Sequence, residues 1–255
     1  MLLLLDIGNT HTHIALARGK SILRPIDLPT ADWTSGKMSR QIATYVRGAT
    51  VTSVALCSVV PAATVRAVRA FERTWGLKPF QLNDRTVRGI GVDYPRASTI
   101  GPDRLANAVA ARQLFGAPVV VVDFGTAVTF DVVNRRGDYV GGIIAPGLAA
   151  MTTYLHEKTA LLPEIKIREV SGSIGKSTEQ AMLIGAVQGY RGLIRELIQN
   201  LRKELNTARL PVVATGGYAG LMACGLPEIS AVDPLLTLKG LRLAWEMGPN
   251  SKTLN

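Results

Sequence analysis

Apolar residues fall along this chain in a few dense runs, separated by segments of helical spacing. Leu2 to Ile7 is apolar except for Asp6 near its end, the length and pattern of a buried strand. Thr12 to Ala17 carries small and apolar residues suited to a hairpin partner, and Ser21 to Leu28 suits a third strand. Met38 to Val46 has helical spacing. SVALCSVV (53–60) is a second buried strand, stopped by Pro61. Proline is favoured in the first turn of a helix, so Pro61 opens one running from Ala62 to Trp75.

The second half repeats the plan. APVVVVDFGT (117–126) is another apolar strand that ends in acid, glycine and threonine, AVTFDVV (127–133) alternates, and RRGD (135–138) marks a turn. YVGGIIAP (139–146) returns, and Leu148 to Glu157 reads as a helix. Thr178 to Leu205 is one long amphipathic helix or two stacked ones. LPVVATGG (210–217) is a late strand ending in paired glycines. A helix from about Asp103 to Leu114 joins the halves. Strand, acid, any residue, glycine and threonine thus recur as DIGNT (6–10) and DFGTA (123–127), a short internal repeat and not a solenoid period.

Composition narrows the class. Of 255 residues, 47% are hydrophobic and 19% charged, ordinary for a globular enzyme. The net charge of +10 is scattered, with no basic run and only 5% aromatics, so a dedicated nucleic-acid surface is not indicated. Scattered positive charge does suit small anionic ligands, whose local concentration it raises. Cys57 and Cys224 are far apart and form neither a disulfide framework nor a zinc site. The first apolar run meets Asp6 too early for a signal-peptide core or a membrane span. The reading is a cytoplasmic protein with no membrane partner.

The turns carry the candidate chemistry. In DIGNT, Gly8 permits a tight turn and close approach of a ligand, while Asn9, Thr10 and backbone N–H groups can donate to phosphate oxygens. Asp6 would repel phosphate directly and would act through magnesium and its waters. An Asx-type hairpin turn is the alternative. In DFGTAVTFD (123–131), Asp123 can hold a cation, and Gly125 and Thr126 can approach phosphates. DFG is also a protein-kinase tripeptide, but no glycine-rich loop, V-A-I-K lysine or H-R-D loop accompanies it. GSIGKST (172–178) resembles the end of a P-loop, yet Val170 stands where that motif needs glycine. Ser177 or Thr178 there is a candidate helix cap. His11 and His13 share a strand face, without a third metal ligand nearby. Asp103 lies in the first turn of a helix beside Arg104, where helix terminus and guanidinium favour an ionised carboxylate able to orient a hydroxyl. Capping is its alternative role.

With DIGNT, SVVP (58–61), GPDR (101–104), DFGTAVTFD, GGIIAPGLAAM (141–151), TALLP (159–163), GKST (175–178), ATGG (214–217) and LTLKGL (236–241) in this order, the chain resembles the type III pantothenate kinases. They belong to the actin, sugar-kinase and chaperone-ATPase superfamily. The resemblance implies an α/β fold of two ribonuclease-H-like halves, 1–115 and 116–255, with ATP in a cleft between them. It implies transfer of the γ-phosphoryl group of ATP, with Mg2+, to the primary hydroxyl of pantothenate. By position, Asp6, Ile7, Gly8, Asn9, Thr10, His11, Thr12 and His13 would form the first phosphate-binding segment, with Thr126 also contacting ATP. Asp103 would accept the proton, and Gly101, Pro102, Asp103 and Arg104 would line the pantothenate pocket with Tyr94. Asp123 would bind a monovalent cation, K+ or NH4+. The family is dimeric, so this chain is expected to form a homodimer, with Thr178 reaching pantothenate from the partner subunit. Other readings are an ATPase on the same fold, which would not need GPDR, or a non-catalytic regulator, which would tolerate degenerate turns.

Overall fold

The computed structural model describes residues 1–248. Its elements begin with β1 (Leu2–Ile7), β2 (His11–Arg18), β3 (Ser21–Pro29), α1 (Asp32–Ser35), α2 (Lys37–Tyr45) and β4 (Ser53–Ser58). Then come α3 (Pro61–Trp75), β5 (Phe80–Gln81), β6 (Gly91–Val92), α4 (Pro102–Phe115), β7 (Val119–Phe124), β8 (Ala127–Val133), β9 (Asp138–Pro146) and α5 (Leu148–Lys158). The chain continues through α6 (Thr178–Ile184), α7 (Tyr190–Glu204), β10 (Val212–Thr215), α8 (Ala219–Ala223), β11 (Ala231–Val232) and α9 (Leu236–Glu246).

Two compact units emerge. One comprises residues 1–114 with the chain from Leu235 onward, the other residues 115–234. The sequence reading divided the chain as 1–115 and 116–255, whereas the chain from Leu235 onward groups with the first unit. The structure differs because α9 packs on β1, β2 and β4 of the first unit. Gly240 also lets α9 approach α4 closely, since a Cβ there would lie 1.8 Å from the Ala106 carbonyl oxygen. Thr237 adds a hydroxyl bond to Asn107 Oδ1 at 2.8 Å.

Each unit is built on the same five-strand plan. In the first the order is β3-β2-β1-β4-β5. In the second, the strands of that unit run β9-β8-β7-β10-β11. β1 pairs antiparallel with β2 and parallel with β4, as β7 does with β8 and β10. Central strands buried on both faces read as unbroken apolar runs, which is why Leu2–Leu5 and Val119–Val122 carry no polar residue. In the first unit Leu3, Leu5, Ile14, Leu16 and Leu56 meet Trp33, Ile42, Ala67 and Phe71 of the helices. In the second, Val120, Val122, Phe130 and Val212 meet Val187, Tyr190, Ile194 and Ile198.

The segment 178–205 is a helix with a π turn, Gly185–Gly189, between α6 and α7. The sequence reading allowed one helix or two, and the π turn joins them into one path. Ser177 caps α6 by accepting from the Gln180 N–H at 3.2 Å, and Gln180 Oε1 accepts the Lys176 N–H at 2.8 Å, close to a capping box. Among the described residues no helix is long and apolar enough to cross a membrane.

Candidate active site

The DIGNT turn links β1 to β2 in the first unit. Gly8 N–H donates to the His11 carbonyl at 3.0 Å, closing the turn. Thr30, at the end of β3, ties it from the side: its hydroxyl donates to the Gly8 carbonyl at 2.7 Å and its N–H to the Thr10 carbonyl at 3.0 Å. Asn9, Thr10 and His11 are exposed at the tip. Two residues of the segment turn their side chains inward. Ile7 and Thr12 are fully buried, and Thr12 shares hydrogen bonds with the Thr30 hydroxyl and the Trp33 indole N–H. Alternation along β1 and β2 sends both side chains into the core, where they hold the turn in shape.

Three groups meet at the carboxyl end of β1. Asp6 faces Cys57 across the parallel register of β1 and β4, and the Cys57 thiol donates to Asp6 Oδ1 at 3.4 Å. Asp103, in the first turn of α4, acts electrostatically on the same thiol. Pro102 takes the first helical position, where its missing N–H costs nothing. A Cβ on Gly101 would lie 2.5 Å from Asp103 Oδ1, so a side chain there would displace the carboxylate. Burial pushes the Cys57 thiol well above its ordinary value, and the negative charges of Asp6 and Asp103 push it further. It therefore stays protonated.

Asp103 departs from the sequence expectation in one respect. Burial raises its carboxyl above the ordinary value, while the Arg104 N–H, 2.8 Å from Oδ1, and the Arg104 guanidinium pull it down. Desolvation outweighs the helix terminus and the arginine, so the shift is upward. A carboxylate with a raised value is a better proton acceptor near neutrality than an ordinary aspartate. The bond to Arg104 N–H also shows that Asp103 does more than wait for a ligand: it fastens its own turn.

His13 pairs with Asp27 at 2.6 Å, and the His11 and His13 rings lie 6.5 Å apart. Among the described residues no three metal-ligating groups come together. Tyr94 lies exposed in the irregular segment before α4. A cavity of about 670 Å³ in this unit lies at the opposite end of β1, beside Met1, Arg18 and Trp245, away from Asp6.

In the second unit the DFGT turn links β7 to β8, with Asp123 half-buried and Gly125 and Thr126 exposed. Two glycines press on it. A Cβ on Gly147 would lie 2.1 Å from the Thr126 carbonyl oxygen, and one on Gly216 would lie 2.5 Å from Asp123 Oδ1. Gly216 also has φ +88°, which other residues avoid. Thr215, the residue before it, pairs with Asp123 in the β7–β10 register. Thr178 opens α6, outside this cluster of turn residues. Gly147, Gly216 and Cys57 were not anticipated as site residues, although each lies in or beside a quoted motif. Thr30 had no sequence signal.

The donor chemistry suits a magnesium nucleotide. A half-buried carboxylate at a strand end is a hard oxygen ligand for Mg2+ or its waters. Exposed turn amides, hydroxyls and bare glycine backbone are what phosphate oxygens need.

The family model for type III pantothenate kinase matches residues 2–200. The type III pantothenate kinase of Akkermansia muciniphila is 46% identical over 244 residues, covering 95% of this chain and 97% of that protein. The type III pantothenate kinase of Methylacidiphilum infernorum is 42% identical over 247 residues, covering 96% and 88%. Among solved structures, one described as a Baf family transcriptional activator from Campylobacter jejuni matches with TM-score 0.62 and 20% identity over 96% of this chain and 97% of that one. A 2-dehydro-3-deoxygalactonokinase protein from Sinorhizobium meliloti matches with TM-score 0.58 and 12% identity, over 96% and 98%. At such identities these structures speak for the fold alone.

Proposed function

Because this chain belongs to the type III pantothenate kinase family, we propose residue roles for its reaction from the geometry of the two turns. The reaction is transfer of the γ-phosphoryl group of ATP, with a divalent metal, to pantothenate, giving 4'-phosphopantothenate at the start of coenzyme A synthesis. Magnesium bound with ATP supplies neutralisation of phosphate charge.

Asp103 accepts the proton of the pantothenate hydroxyl and orients that oxygen toward the phosphorus. Gly101, Pro102, Arg104 and Tyr94 line the pantothenate pocket. Asp6 holds magnesium through water, and Gly8, Asn9, Thr10, His11 and His13 border the phosphates. Asp123 holds a monovalent cation, K+ or NH4+, and Thr126 contacts ATP. The observation that carries this reading is the pair of acids in the first unit, Asp6 near the end of β1 against the buried Cys57 thiol and Asp103 in the first turn of α4 with Oδ1 on the Arg104 N–H. A metal-bearing acid and a proton acceptor in one small space are what phosphoryl transfer to an alcohol asks for, since positioning supplies most of the acceleration.

We read the active form as a homodimer in which Thr178 of the partner subunit completes the pantothenate pocket. Met151, Tyr154 and Leu155 support it: spaced for one face of α5, they are exposed, as is the nearby Leu161. A coupled assay with ATP, magnesium, potassium and pantothenate tests the set. Loss of turnover in Asp103→Asn with normal ATP binding supports it, and an active Asp103→Asn protein overturns it.

A further inference from the structure

One buried nucleophilic group has no task in that reaction. Cys57 is fully buried, lies directly across from Asp6 on the neighbouring parallel strand, and donates its S–H to Asp6 Oδ1 at 3.4 Å. Its S–H is already engaged by a carboxylate inside the fold, out of reach of solvent. A thiol offers one weak donor and little else, in the volume of a small apolar residue. That combination suits a site which must be dry on the strand side and must still present one proton to a carboxylate.

The internal repeat supplies an independent observation. In the second unit Asp123 ends β7 as Asp6 ends β1, and Thr215 of β10 occupies the register position that Cys57 of β4 occupies. Thr215 is 2% exposed. The two units therefore place beside each turn aspartate a small, buried side chain that carries a single proton.

We propose that Cys57 is a positioning residue for the phosphoryl transfer, its S–H fixing the Asp6 carboxylate in the orientation that serves the magnesium nucleotide. This rests on the reading of Asp6 given above. The bond engages one carboxylate oxygen of Asp6 and so narrows its terminal torsion, which is otherwise broad. With the donor, Asp6 is held as an acceptor while Asp103, which the thiol does not bond, is left to take the substrate proton. The thiol thereby separates the duties of two acids that share one space.

The test uses Cys57→Ser, which keeps a donor, and Cys57→Ala, which removes it, with Asp6→Asn and Asp6→Ala as controls. In the ligand-free enzyme carrying Cys224→Ser, the infrared S–H stretching band of Cys57 lies at lower frequency than that of an unbonded thiol. It rises when Asp6→Ala removes the acceptor. In steady-state kinetics Cys57→Ala raises the KM for Mg·ATP about three- to tenfold, the worth of one modest hydrogen bond, with the KM for pantothenate and the melting temperature nearly constant. Cys57→Ser recovers most of that loss. A band insensitive to Asp6→Ala overturns the proposal, as does Cys57→Ser performing no better than Cys57→Ala, which would make the residue a packing group. Asp6→Asn with an unchanged KM for Mg·ATP defeats instead the reading of Asp6, whatever Cys57 does.

Discussion

The DIGNT and DFGT turns begin from one plan and end as different devices. Both follow a buried strand, both open an antiparallel hairpin, and both set an aspartate against a parallel neighbour. The first turn is tied by a side chain, Thr30, and has a second acid, Asp103, within electrostatic reach of its own neighbour Cys57. The second is pressed by backbone: Gly147 and Gly216 lie so close that neither admits a methyl group. The repeat provides a scaffold, and neighbours from outside it decide what each turn can do. Where α4 delivers an acid, the turn gains chemistry. Where glycines close in, it gains rigidity.

The sharpest way to break this comparison is to remove the acid. Asp103→Asn lowers kcat by about two to four orders of magnitude, the usual range for a general base, and leaves ATP binding near normal. Stability moves the other way. Burial raises the Asp103 carboxyl, so the folded protein binds this proton more tightly than the unfolded chain does. That contribution favours the fold below the unfolded value and becomes a penalty as pH rises through the folded value. At neutral pH the variant therefore melts at the same temperature or higher, and at about pH 3 the advantage is gone. Thermal melts at both pH values check this. For the same reason the acid limb of kcat/KM lies at higher pH than an unperturbed aspartate would give. A variant that melts lower at neutral pH would return Asp103 to a capping role.

Next in size is a contrast between glycines. Gly147→Ala drives a methyl into the Thr126 carbonyl and costs about 3 kcal/mol, the upper range of overpacking, with ATP binding lost in parallel. Gly8→Ala meets only the His11 carbonyl at 3.0 Å and costs about 1 kcal/mol, the lower end of that range. Chemical denaturation of both variants measures the gap. Equal costs would show that the first turn is as tightly closed as the second.

A third test separates the ions. Asp123→Asn weakens activation by potassium about tenfold or more, by analogy with groups that orient metal ligands. Asp6→Asn instead raises the magnesium requirement. Full activity of the parent enzyme in sodium-only buffer would remove the monovalent cation from the second turn altogether.

Much of this was legible before any coordinates. Leu2–Ile7 and Val119–Phe124 announced central strands because nothing polar interrupts them until the acid, and the repeated acid, glycine and threonine pointed to paired turns. The ordered motifs identified the family. What was not legible depended on distant residues meeting. Nothing in LTLKGL says that α9 returns to the first unit, because that choice is made by Gly240 meeting Ala106, positions that sequence spacing does not connect. Asp103 was read as favoured in its charged form because a helix terminus and Arg104 are visible locally, whereas the burial that outweighs them is a property of the folded environment. The motif gives no sign that the Ile7 and Thr12 side chains turn into the core, because their neighbours in the first unit decide it. The short elements β5, β6, α8 and β11 carry too few residues for a period to register.

The smallest effect probes how the second turn keeps its shape. Tyr190, buried at the start of α7, donates its hydroxyl to the carbonyl of Pro146, the residue just before Gly147. Burial pushes its phenol up to about 12, so it remains a donor throughout the stable pH range. Tyr190→Phe keeps the ring among Val187, Ile194 and Leu148 and removes only the bond. The Pro146 carbonyl loses its partner, at a cost of about 1 kcal/mol. For a chain of this size that is about 2–4 °C in melting temperature. If the turn is held chiefly by backbone contact from Gly147 and Gly216, the KM for Mg·ATP changes little. A KM that rises while the melting temperature holds would mean that Tyr190 tunes the turn as Cys57 is proposed to tune Asp6. The second unit would then rely on side-chain positioning as the first does, and the contrast between the two turns would narrow to the single acid on α4.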